Sequence, residues 1–266
     1  ARASAEPQKV APWEKGLNDD VASISKEALA KYQTSRADNA GMSHSVKLGD
    51  GRTVNFNFMG DDPKSGGKII DVYVPCETEA RRFTISEDTR ISFNEKGEPQ
   101  VTSGSPASSG GVLRATGKDE ILINFSSAKV EAGENSTVIN FAGAGGEFVS
   151  GTNTTYLGVY DGAKFKDGTG NLTFAGVFDN SEINVGKGRG AFSGTFTKSL
   201  INGGALNDSF NGVFNETQAF GNDGNDSFGG LFMAGSSIDA GAGNDVINGR
   251  FINSDIAAGD GNDTIG

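Results

Sequence analysis

The chain has 266 residues, room for one long domain or two small ones, and its 40 glycines are too many for an ordinary globular fold unless the sequence repeats. The formal net charge is -11, and from residue 121 onward 16 Asp and Glu face 7 Lys and Arg, which argues against nucleic acid and anionic membrane surfaces as partners, since both reward clustered Lys and Arg. A single cysteine, Cys76, excludes an internal disulfide and is expected to be a buried thiol, and no run approaches the ~18 apolar residues of a membrane span, so no membrane insertion is expected.

Residues 1–18, with Pro7, Pro12 and many small or polar side chains, are expected to form a flexible arm. From Asp19 or Asp20 the spacing of Val21, Ile24, Ala28, Leu29 and Tyr32 predicts an amphipathic helix that docks by its apolar face. The period then drops to two. Ser45–Leu48, Thr53–Phe58, Lys68–Val74, Arg82–Ile85 and Arg90–Phe93 read as strands, and Gly49-Asp50-Gly51 reads as a hairpin turn. Thr102 to Gly111, dominated by Ser, Gly and Pro, reads as a surface loop, so residues 19–111 form a β-rich capping region with one helix. After it Ile121–Phe125 and Val138–Phe141 look like the first, irregular coils of a repeating region.

Beyond residue 112 the sequence repeats. Tyr156, Phe174, Phe192, Phe210, Phe228, Ile247 and Ile265 succeed one another at steps of 18, 18, 18, 18, 19 and 18, and a second ladder, Phe165, Ile183, Ile201, Ala219, Ile238 and Ile256, lies about half a period later. Such a period predicts an all-β chain dominated by a parallel β-solenoid of about 18 residues per turn over residues 112–266. Five positions before each residue of the second ladder, or six before Ile238, stands an aromatic, Tyr160, Phe178, Phe196, Phe214, Phe232 and Phe251, expected to form a buried stack of rings.

Toward the C-terminus the loops entering each turn are near-copies. Gly221-Asn222-Asp223-Gly224-Asn225-Asp226 is followed by Gly241-Ala242-Gly243-Asn244-Asp245 and by Gly259-Asp260-Gly261-Asn262-Asp263. With the apolar residue that comes after each, they match the G-G-x-G-x-D-x-U-x repeat and resemble the RTX, or hemolysin-type, calcium-binding repeat family, most strongly over residues 203–266. The resemblance implies a β-roll in which each nonapeptide makes a glycine turn and a short strand, with calcium between successive turns. It also implies a secreted or cell-surface bacterial protein, exported by type I secretion. The chemistry of the residues agrees. Calcium takes about six to eight oxygens from carboxylates and backbone carbonyls, and coils stacked ~4.8 Å apart would crowd one Asp per turn into a repelling column that a cation neutralises.

The metal residues expected are Asp208, Gly221, Asp223, Gly224, Asp226, Gly241, Gly243, Asp245, Gly259, Asp260, Gly261 and Asp263. Two good calcium sites are expected, between the Asp226 and Asp245 loops and between the Asp245 and Asp263 loops, with a poorer one between Asp208 and Asp226, whose loop has Leu206 for its second glycine. Asp223 and Asp260 are expected to contribute backbone carbonyls while their side chains face solvent. Earlier turns have Leu172 and Gly190 at the Asp position, and the second half of each turn has Ser181, Ser199, Thr217, Ser237 and Ser254 or Asp255 there. On that edge the ring stack is expected to take the place of ions.

One histidine, His44, leaves no zinc-protease H-E-x-x-H motif and little for a Ser-His-Asp triad, and the conspicuous Asp pairs are accounted for by the loops. The expectation is a non-catalytic, calcium-binding structural, adhesive or assembly element whose partners are calcium and either itself, other surface proteins or glycans. The alternative is a calcium-dependent module of a polysaccharide-modifying enzyme, with an ice-binding adhesin more distant because Asp223, Ala242 and Asp260 break the Thr array such a surface needs. Lacking an initiating Met and reaching Gly266 within a repeat, the chain is expected to be a processed product or a fragment.

Overall fold

A computed structural model describes residues 43–75, 77, 79–103, 111–125, 129–141, 145–166 and 168–266. The expected arm, the expected helix from Asp19, Cys76 and residues 104–110 of the expected loop Thr102–Gly111 lie outside them, and Thr102 and Ser103, expected in that loop, belong to a strand.

Alternating side chains build the N-terminal region. Strands β1 (Ser43–Lys47), β2 (Thr53–Asp61), β3 (Lys68–Tyr73) and β4 (Arg81–Ile85) pair antiparallel in that order, and Val54, Phe56 and Phe58 of β2 all point to the buried side. Gly51, at φ +87, closes the β1–β2 turn, with Leu48 N–H donating to the Arg52 carbonyl over 2.8 Å. Strands β5 (Thr89–Phe93) and β6 (Pro99–Ser103) form a further hairpin, and β5 runs antiparallel to the strand Ile121–Asn124, tying the region to the first coils. Strand β6 is not apparent from sequence because Pro99 opens it. Proline is tolerated there as the first residue of a strand.

The solenoid has the expected period. Leu122, Val138, Tyr156, Phe174, Phe192, Phe210, Phe228, Ile247 and Ile265 stand in one parallel register. A second sheet aligns Tyr160, Phe178, Phe196, Phe214, Phe232 and Phe251. A third aligns Leu113, Val130, Phe148, Phe165, Ile183, Ile201, Ala219, Ile238 and Ile256. A regular coil thus has three strands, one more than two nonapeptides of turn and strand supply. The extra bend comes from a glycine between the first two ladders, at Gly158, Gly176, Gly194, Gly212, Gly230 and Gly249. A Cβ at Gly194 would lie 2.3 Å from the Gly176 carbonyl oxygen, and at Gly212 2.4 Å from that of Gly194, so a side chain at the bend would force the coils apart.

The rings fill the interior, as expected. Tyr160, Phe178, Phe196, Phe214 and Phe232 are fully buried, with Phe178 and Phe196 stacked 4.9 Å apart and Phe214 and Phe232 4.4 Å apart. A parallel stack on the first sheet brings Phe192, Phe210 and Phe228 to 4.6 and 4.4 Å.

The edge between second and third sheets differs from the expectation. It is held by hydroxyls at the corner, while the rings lie inside. Ser199 Oγ accepts from Ser181 N–H over 3.1 Å, and Ser236 Oγ accepts from Thr217 N–H over 3.1 Å. Ser236, not Ser237, occupies this column, because Ala234 and Gly235, both at positive φ, lengthen that corner by one residue.

The antiparallel sheet packs on the outside of the first coils. Phe56, Phe58, Ile70 and Val72 meet Ile121, Ile123, Ile139 and Leu157 in a second core. Strands there are buried on both sides, which explains why the apolar residues Ile121–Ile123 and Val138–Ile139 follow one another without alternation. From Ala191 onward the outward column of that sheet reads Ala191, Ser209, Ser227, Val246 and Thr264, small or polar except for the exposed Val246.

Candidate metal centre

The corner between third and first sheets carries the repeated loops. Each loop leaves a third-sheet strand, turns through its glycines, and delivers an Asp two residues before the first-sheet Phe or Ile, so the parallel register places Asp208, Asp226, Asp245 and Asp263 in one column. Every carboxylate reaches back one coil. Asp208 Oδ1 accepts from Gly190 N–H over 2.5 Å, Asp226 Oδ1 from Asp208 N–H over 2.7 Å, Asp245 Oδ1 from Asp226 N–H over 2.7 Å, and Asp263 Oδ1 from Asp245 N–H over 2.9 Å.

The preceding asparagines run the other way. Asn207 Oδ1 accepts from Asn225 N–H over 2.9 Å, Asn225 Oδ1 from Asn244 N–H over 2.7 Å, and Asn244 Oδ1 from Asn262 N–H over 2.9 Å. Sequence reasoning missed these asparagines as structural residues, although an Asn before each Asp was the available signal.

Glycine is demanded here by stacking as well as by φ. Gly243, at φ +146, has no room for a Cβ, which would lie 1.7 Å from the Gly224 carbonyl oxygen, and Gly261, at φ +139, would meet Gly243 at the same distance. Gly224, Gly241 and Gly259 also have positive φ, whereas Gly221 does not and instead lies against Asp226, whose Oδ2 would be 2.2 Å from a Cβ. Asp223, Ala242 and Asp260 form single parallel bridges with exposed side chains, so neither aspartate brings its carboxylate to the column. Upstream the column continues through Leu172, fully buried, and Gly190, with no carboxylate.

The electrostatics set the column apart. Asp208, Asp226 and Asp245 are each only 1% exposed. Burial pushes Asp226 up to about 7, against the hydrogen bond from Asp208 N–H, and the charges of Asp208 and Asp245 add to the rise. Burial likewise pushes Asp208 up to about 6, opposed by the Gly190 and Gly204 N–H groups, and raises Asp245, where the Asp263 charge adds. Asp226 Oδ2 and Asp245 Oδ2 are buried without a hydrogen-bond partner. Leaving such a group unpaired is costly, and a cation is one remedy.

A calcium ion fits this donor set in kind: an orphaned carboxylate oxygen beside a glycine turn rich in backbone oxygens. No group of three or more His, Cys, Asp or Glu side chains suited to a metal gathers among the described residues, so most ligands in such a site would be backbone carbonyls. The chain matches no protein-family model, no curated protein and no solved structure.

Proposed function

We propose that this chain is a calcium-stabilised β-solenoid of a secreted or cell-surface protein, akin to the RTX repeat proteins, serving as a non-catalytic structural, adhesive or assembly element. The observation that carries the reading is the pair of buried, partnerless oxygens, Asp226 Oδ2 and Asp245 Oδ2, in a column of like charges. Calcium bound there supplies the positive charge that lets neighbouring carboxylates stay ionised while the coils remain stacked. Asp226 and Asp245 hold the ion, Asp263 closes the column one coil further on, and the glycine turns bring backbone oxygens near. Extracellular modules of this kind bind calcium in the ~10⁻⁴–10⁻³ M range, so the column fills outside a cell. The partners proposed are copies of the chain, other surface proteins or glycans.

A melting experiment tests the reading. Millimolar calcium raises the melting temperature of the full chain above its value in chelator, by mass action on the folded state, and magnesium at the same concentration does so far less because it demands a tight octahedron and holds its waters. Identical melting in chelator and in calcium overturns the proposal.

A further inference from the structure

Asp208 and Asp226 look equivalent in sequence but differ in what serves the second carboxylate oxygen. At Asp208, Oδ2 accepts from the N–H of Gly204, four residues earlier, over 2.5 Å. Equivalent corners upstream do the same. Glu120 Oε2 accepts from Thr116 N–H over 2.8 Å, and the shorter Ser136 and Thr154 side chains accept over 3.1 Å from Gly133 and Gly151, three residues earlier.

Downstream the pattern breaks. The residues four places before Asp226, Asp245 and Asp263 are Asn222, Gly241 and Gly259, at φ +72, +100 and +93, whereas Gly204 lies outside the left-handed region. A positive φ swings the preceding peptide plane, with its N–H, relative to the rest of the loop. Asp226 Oδ2 and Asp245 Oδ2 are then left without a donor.

We infer, resting on the proposed calcium reading, that the backbone four residues before each column carboxylate decides whether it takes an N–H or a cation, so that calcium binding begins at Asp226 and Asp208 is a metal-free cap of the column. This removes the poorer third site expected between Asp208 and Asp226. The two carboxylates therefore respond oppositely to the same change. In Asp226→Asn the amide oxygen can keep the bond from Asp208 N–H while the amide nitrogen replaces a partnerless anionic oxygen. In Asp208→Asn the amide nitrogen faces the Gly204 N–H, donor against donor.

The test measures calcium stoichiometry by titration, and melting in chelator at pH 8, for the full chain and both variants. Asp226→Asn is expected to bind fewer ions than the parent while melting no lower in chelator. Asp208→Asn is expected to bind the parental number of ions while melting several degrees lower in chelator. Should Asp208→Asn not fold, Asp208→Thr, which copies the Thr154 corner, is expected to fold and bind the parental number. A lower stoichiometry in either Asp208 variant, or equal losses of melting temperature for Asp208→Asn and Asp226→Asn in chelator, overturns the inference. A parent chain that binds no calcium overturns instead the function on which it rests, while the chelator melts still judge the hydrogen-bond asymmetry.

Discussion

At the scale of single residues, the Asp column makes a pH signature. Asp226 and Asp208 have folded-state pKa values of about 7 and about 6, above the usual 3.8, with burial as the main cause. A raised pKa means that the folded form holds its proton more tightly than the unfolded one. The contribution is complete below pH ~4 and is lost as pH rises through about 6 to 7. Calcium-free protein is therefore expected to melt higher at pH 5 than at pH 8. Calcium competes with those protons, so its stabilisation grows over the same interval. Melting curves at closely spaced pH values, with and without calcium, check both slopes. A calcium-free melting temperature that rises from pH 5 to 8 would contradict the buried column.

Among elements, the second-sheet stack and the glycine bend are predicted to be the stiffest requirements. Phe196 is fully buried between Phe178 at 4.9 Å and Phe214 at 5.1 Å, so Phe196→Ala is expected to cost about 3–5 kcal/mol, as other buried aromatics do. A cost under about 1 kcal/mol in denaturant unfolding would mean that neighbours close the gap. Gly194→Ala adds a single methyl, yet its Cβ would lie 2.3 Å from the Gly176 carbonyl oxygen of the adjacent coil. Backbone cannot yield as a side chain can, and a loss of at least about 1–3 kcal/mol is expected. By comparison Ser193→Ala, at an exposed position one residue earlier, should change stability little.

For the whole molecule, the two ends are held by different means. The first coils are clamped by the antiparallel sheet, through Phe56, Phe58, Ile121, Ile123 and Ile139. The last coils lack that cover and carry the carboxylate column. Solenoid stability is a sum over neighbouring coils, so chelation should loosen the chain from its C-terminal coils first. Amide exchange read by mass spectrometry is expected to quicken over residues 221–266 in chelator while residues 137–201 stay protected. Uniform acceleration along the chain would argue that the solenoid responds as one unit.

Much of this architecture was legible from sequence because a solenoid repeats its local rule. The 18-residue step of Tyr156 through Ile265 alone determined the parallel register, and the Gly-Asn-Asp loops determined which coils could gather carboxylates. Tertiary structure decided what depends on stacking one coil on the next. It turned the glycine between Phe192 and Phe196 into a third side of the coil, because adjacent backbones approach there closely enough to exclude a Cβ. It placed Ser236 instead of Ser237 in the hydroxyl column, since an added residue is absorbed at a corner and not in a strand. It separated Asp208 from Asp226, two identical side chains at identical spacing, because the direction of one peptide N–H is set by local φ that residue identity alone does not dictate.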